Sequence, residues 1–221
     1  MFFVKSILRL FFRLLYHELA FTYDLVAAAV SFNRWQDWVM SVIPFLEGKR
    51  ILEIGHGPGH LQRVLLSLGL SAVGIDESAQ MGRLAKRRTR GAARLTRGLA
   101  QYLPFSDNSF DTVFATFPAE YIFDPETLTE AERVLAKEGR FVILPGAVIT
   151  GRGGLDRFMA WLFRITGETP PNLSEILHER SKEPFAKAGF HVEIHEISVK
   201  SSLVFILLAT KSQIMEEAEH A

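Results

Sequence analysis

Cysteine is absent from all 221 residues, which excludes disulfides and thiol chemistry and agrees with a reducing, cytoplasmic setting. An excess of either charge is absent too. The chain carries 25 Lys and Arg against 25 Asp and Glu, so no overall field draws it to nucleic acid or to an acidic partner. The phosphate-loop pattern GxxxxGK[ST] has no match, which removes nucleoside triphosphate hydrolysis of that kind. Long uncharged apolar runs are missing: the most apolar stretch, near the N-terminus, is interrupted by Lys5, Arg9 and Arg13 short of the ~20 residues that cross a bilayer. The same charges invade what would be a signal-peptide core, so export is not expected. His56 and His60 straddle a glycine loop, and His191, Glu193 and His195 alternate along an expected strand. The first pair shares no helix face, and the second shares a strand face that reads as a solvated edge, so no metal is expected.

What is present is a chain of short apolar runs alternating with amphipathic helical stretches, the pattern of a mainly parallel sheet. Strands are expected near 50–54, 71–76, 93–97, 111–115 and 139–144, and helices near 60–68, 78–90 and 125–137, the last stopped by Gly139. Ser174 is read as capping a helix and Pro184 as starting a new segment. An aromatic helix is expected over 155–165. Two closing strands, about 190–198 and 202–210, form a hairpin. One α/β domain over 41–212 follows, preceded by an N-terminal helix and lid segment (1–40) and trailed by a frayed tail (213–221).

The segment Ile51-Leu-Glu-Ile-Gly-His-Gly-Pro-Gly59 is the most informative. A buried strand ends in Glu53 and enters a turn with glycines at 55, 57 and 59, where backbone N–H groups can approach a ligand. The next run ends in Asp76, nineteen residues after Gly57; an acid there can accept hydrogen bonds from both hydroxyls of a ribose. The spacing G-x-G-x-G, with His60 where a third dinucleotide-type glycine would stand, is not the dinucleotide fingerprint.

This segment resembles the first motif of the class I S-adenosylmethionine-dependent methyltransferases. Val73 to Met81 is similar to the family's second motif. Gly98 to Phe105 with Ser106 to Val113 resembles its "GDAxxLPFxDxSFDxV" segment, and Leu128 to Val142 its "RVLKPGGRLV" helix and strand. Thr22 to Trp35 looks like the lead-in of the ubiquinone/menaquinone C-methyltransferases, whereas Phe117-Pro-Ala-Glu-Tyr121 departs from their "FGLRN" segment. The resemblance implies a Rossmann-like fold: a mostly parallel seven-stranded sheet with an antiparallel terminal hairpin and helices on both faces. It implies S-adenosyl-L-methionine as cofactor.

The implied cofactor contacts are Tyr23, Glu53, Gly55, His56, Gly57, Gly59, Asp76, Glu77, Met81, Ala100, Gln101, Thr116 and Phe117. Leu99 stands where the family often has an aspartate beside the adenine. Glu120 and Tyr121, off the end of the fourth strand, are the catalytic candidates should the acceptor need to lose a proton.

The N-terminus carries phenylalanines at 2, 3, 11 and 12 beside a basic stripe, the composition of an interfacial helix, so residues 1–20 are expected to touch a membrane surface from the cytoplasmic side. A small hydrophobic acceptor (lipid-, quinone- or aromatic-like) is the expected substrate. A soluble small molecule, or a catalytically silent cofactor- or lipid-binding module, stays open beside it. The run Lys86 to Arg90, with Arg94 and Arg97, lacks interleaved aromatics, and nucleic acid is not an expected partner.

Overall fold

A computed structural model describes residues 34–70, 72–151, 153–154 and 173–212. Tyr23, the N-terminal stripe of residues 1–20, the aromatic stretch 155–165 and the tail 213–221 lie outside them.

Seven strands form one sheet in the order β3-β2-β1-β4-β5-β7-β6. They are β1 (Ile51–Ile54), β2 (Ala72–Asp76), β3 (Arg94–Arg97), β4 (Phe110–Thr116), β5 (Leu135–Ile149), β6 (Phe190–Val199) and β7 (Ser202–Lys211). The first five pair in parallel, and β7 runs antiparallel between β5 and β6. The expected architecture is present, hairpin included.

The helices are α1 (Trp35–Met40), α2 (His60–Ser67), α3 (Ala79–Arg88), α4 (Pro125–Val134) and α5 (Leu173–Lys187). Both faces of the sheet are covered, so central strands have no polar face: all four residues of β1 are buried, as a doubly covered parallel strand requires. Alternation along β1 sends Leu52 and Ile54 into a core shared with Leu128 of α4 and Phe185 of α5. It sends Ile51 to the opposite core, with Trp38 of α1 and Leu65 of α2. Among the described residues, no helix is long and apolar enough to cross a membrane.

Three local expectations are corrected. The helix expected over 125–137 ends at Val134, and β5 begins at once with Leu135 and runs to Ile149, far beyond 139–144. Gly139 therefore lies inside β5; a Cβ there would come within 2.9 Å of the Ala136 carbonyl oxygen, so the bend excludes a side chain. Pro145 is tolerated because the β5–β7 register shifts between Ile143 and Gly146, where a missing N–H breaks no regular ladder. Finally, α5 continues through Pro184 to Lys187 instead of restarting there. Ser174 sits within it, its hydroxyl donating to Glu196 at 2.9 Å.

Candidate cofactor site

The strand order reverses at β1, which lies between β2 and β4. Ligands of open α/β sheets bind off the carboxyl ends of strands at such a point. Here those ends carry Glu53, the glycine loop, Asp76 and Thr116.

The loop is held by its own backbone. Gly55 N–H donates to the Ile75 carbonyl at 2.8 Å, and Gly59 N–H to the His56 carbonyl at 3.1 Å. Gly55 and Gly59 have φ of 72° and 78°, a region that costs other residues roughly 1–2 kcal/mol. Gly59 is required a second time: a Cβ would lie 2.7 Å from the Ala85 Cβ, where α2 starts against α3.

Asp76 binds the loop to the next helix. One carboxylate oxygen accepts from Gly57 N–H and the other from Ser78 N–H, both at 2.8 Å. Each oxygen keeps a lone pair for a further donor, so the acid can fix the loop and still accept from a diol. The Ser78 hydroxyl in turn accepts from Met81 N–H, capping α3.

Glu53 is 2% exposed, and its Oε2 accepts from the Gln62 amide at 2.7 Å. Burial pushes its carboxyl up to about 8, against the smaller lowering effect of Gln62; Asp76 nearby adds to the rise. At neutral pH Glu53 is thus mainly a neutral acid. Gln62 escaped sequence reasoning. The signal available was a polar residue flanked on α2 by the buried Leu61 and Leu65.

His56 is buried, with Nδ1 2.7 Å from the Gly57 carbonyl oxygen. Nδ1 must carry the proton in that contact, which leaves Nε2 as the acceptor of the neutral ring. Nε2 has no partner among the described residues.

Tyr121 enters from the 3₁₀ turn Glu120–Phe123 after β4. Its hydroxyl lies 2.8 Å from where a Gly55 Cβ would be. Burial, then Asp76, Glu77 and Glu53, push the phenol far above its ordinary range, so it stays protonated and cannot serve as a phenolate base.

The structure gathers Glu53, Gly55, His56, Gly57 and Thr116 around one cleft, walled on its apolar side by Trp35, Val39 and Leu61. Gly59, Asp76 and Tyr121 border it through the contacts above. The other sequence candidates do not line this cleft. Met81 and Ala100 are buried, and the Gln101 amide donates to Asp124 at 3.1 Å. Glu77 is exposed, with its carbonyl accepting from Arg97 Nε at 2.9 Å. Phe117, at φ 47°, packs on Trp35 and Trp38 with centroids 4.1 and 6.2 Å away. Glu120 is exposed and pairs with Arg180 at 3.1 Å.

A family model described as "Methyltransferase domain" matches residues 52–143, the span that contains this loop, Asp76 and Thr116. Residues 52–143 thus match a methyltransferase domain, in keeping with the class I S-adenosylmethionine-dependent methyltransferases that the sequence resembles. The chain's relatives include a demethylmenaquinone methyltransferase of Thermotoga maritima, 32% identical over 136 residues, 59% of each chain. A ubiquinone/menaquinone biosynthesis C-methyltransferase of Geotalea uraniireducens is 31% identical over 142 residues, 59% of this chain and 60% of that one. This chain thus spans about three-fifths of the length of these relatives. The fold is also that of a Methanococcus maripaludis protein assigned as an S-adenosyl-L-methionine-dependent methyltransferase (TM-score 0.64, 18% identity, 89% and 94% of the two chains). A Haemonchus contortus phosphoethanolamine N-methyltransferase solved with S-adenosyl-L-methionine shares it as well (TM-score 0.55, 19% identity, 80% and 52%).

S-adenosylmethionine is the cofactor that this similarity implies, and the residues fit it. The glycine at 57 leaves open space where a side chain would begin, Asp76 has acceptor capacity for the ribose diol, and the unpartnered His56 Nε2 is an acceptor suited to an ammonium. Two further acids at the loop, Asp76 and Glu77, complement a cationic ligand.

Proposed function

We infer that this chain is an enzyme that transfers a methyl group from S-adenosylmethionine to a small hydrophobic acceptor of lipid, quinone or aromatic kind. The carrying observation is the glycine loop clamped by Asp76 at the switch point, with an apolar wall of Trp35, Val39 and Leu61 on the same cleft. The relatives named as quinone methyltransferases support an acceptor of that class, as does the phenylalanine-rich N-terminal stretch. Residues 1–20 would bring the enzyme to a membrane surface, where such acceptors reside.

When bound, the cofactor would supply an electrophilic methyl on a sulfonium whose sulfur can leave with the carbon–sulfur electron pair. The protein's share is positioning and exclusion of water. Asp76 would hold the ribose, while the Glu53 and His56 side chains would hold the amino-acid end. Thr116 and Tyr121 border the reacting side. Tyr121, kept as a phenol, offers a hydrogen-bond donor to acceptor oxygen and does not take a proton. A carbon or oxygen acceptor that must shed one passes it to solvent or to a group on the acceptor.

The test is incubation of the full chain with methyl-labelled cofactor and a lipid and quinone extract. Label in the organic phase is expected. Label only in water-soluble product points to a soluble acceptor instead, and tight cofactor binding with no labelled product overturns the enzymatic reading.

A further inference from the structure

Charge in this neutral chain is unevenly placed. Between Ser78 and Ser106 lie seven of its 25 cations and none of its 25 acids. Six of the seven (Arg83, Lys86, Arg87, Arg90, Arg94 and Arg97) are exposed. Arg83, Lys86 and Arg87 stand at i, i+3 and i+4 of α3, one face of the helix. Arg90 follows the helix end, and Arg94 and Arg97 bound β3, the edge strand of the sheet. Among the described residues, no ion pair to an acid is recorded for Arg83, Lys86, Arg87, Arg90 or Arg94. Cations at the end of α3 complement its dipole, but that accounts for none on β3.

Beside Arg97 the chain exposes two large apolar side chains, Leu99 at 45% and Tyr102 at 72%. Leu99 and Tyr102 thus extend this acid-free edge with apolar surface. Cations flanked by an exposed leucine and tyrosine match a lipid interface, where phosphates meet the first methylenes. They match nucleic acid less well: no aromatic residue lies between 79 and 101 to stack a base. The edge is continuous with the cofactor site, because Arg97 Nε bonds the Glu77 carbonyl one residue past Asp76.

We propose that the α3–β3 edge docks on an anionic bilayer surface, its basic face on lipid phosphates and Leu99 and Tyr102 at the headgroup boundary. Two surfaces share the attachment: this edge, and the N-terminal segment proposed above.

Vesicle co-flotation of the full chain tests it, with phosphatidylcholine alone and with phosphatidylglycerol added. No acceptor is present, so the result is independent of what the enzyme methylates. Binding is expected only to the anionic vesicles and weakens with salt. Two surface variants, Lys86→Glu/Arg87→Glu and Arg90→Glu/Arg94→Glu, should each lose affinity by about tenfold or more with melting temperature and cofactor affinity unchanged. Milder Lys86→Gln/Arg87→Gln guards against a folding defect and should lose less. Wild-type flotation in the reversed variants, or no anionic binding by the wild type, overturns the proposal. So does a preference for duplex RNA over vesicles that the same variants abolish, which would make this a nucleic-acid face.

Discussion

The Tyr121 hydroxyl packs on the α-carbon of Gly55, 2.8 Å from where a side chain would start. Sixty-six positions separate them in the sequence, yet the contact joins the loop after β4 to the glycine loop proposed to receive the cofactor. A methyl group at 55 would meet the phenol oxygen and would also have to accept a φ of 72°.

Gly55→Ala is therefore expected to weaken cofactor binding by about tenfold or more, the strain alone being roughly 1–2 kcal/mol. Adding Tyr121→Ala removes the steric part and leaves the strain, so the double variant should recover affinity only in part. Titration calorimetry on the four members of the cycle measures this. Additive losses would mean that the two residues do not meet in solution.

Glu53 makes stability pH-dependent with a definite sign. Its folded carboxyl sits at about 8 against 4.5 when unfolded, so the native state holds the proton more tightly. The associated stabilisation is complete below 4.5 and is lost as pH rises through 8. Glu53→Gln keeps a partner for Gln62 and cannot ionise. Its melting temperature should gain on that of the wild type steadily across this window, and a constant difference would contradict the assignment.

The same buried acid should couple cofactor binding to proton release. An ammonium placed beside Glu53 favours the carboxylate, so binding at neutral pH expels part of a proton. Calorimetry in two buffers of different ionisation enthalpy detects it. Glu53→Gln should bind with equal heats in both, and a wild type that already does so would uncouple this acid from the ligand.

Arg133 holds the segment between β3 and β4 in place. Its guanidinium donates to the Leu103 and Phe105 carbonyls at 3.0 and 2.8 Å and pairs with Glu130 and Asp107, while Glu130 accepts from Leu103 N–H. Losing this fork should cost about 2–3 kcal/mol in Arg133→Ala. Arg133→Lys should rescue little, because an ammonium cannot span the same acceptors. Urea denaturation reads both.

Much of this was legible in the sequence where local signals agree. β1 and β2 are each marked by an apolar run, an acid and a turn or cap, and all three glycines of the loop adopt the left-handed conformation that their spacing suggests. β5 was misjudged because Lys137-Glu-Gly139 carries helix-end chemistry. Pairing with β4 and β7, distant in sequence, overrides it. Asp76 as a loop clamp, Gln62 beneath Glu53 and Tyr121 over Gly55 are long-range pairings with no periodicity to betray them. The packing of Phe117 on Trp35 and Trp38 was likewise not legible from its position after β4.

Glu120 and Tyr121 adjoin in sequence but face different surroundings, and this sets their expected effects on turnover apart. The Glu120 side chain is 85% exposed and meets Arg180, an ion pair of the kind that contributes little. Glu120→Gln should leave kcat within about threefold of the wild type, well short of the ~100-fold that removal of a general base brings. Tyr121→Phe deletes the hydroxyl that meets Gly55 and should lower kcat by more than it raises KM, since a donor at the proposed reacting side acts on the transition state. The pH profile of kcat separates this role from base catalysis. A phenol that stays protonated adds no limb between pH 6 and 9 (about 1 unit below its ordinary ~10), so wild type and Tyr121→Phe should trace curves of the same shape at different heights. A limb that disappears in Tyr121→Phe would make the residue a proton acceptor after all.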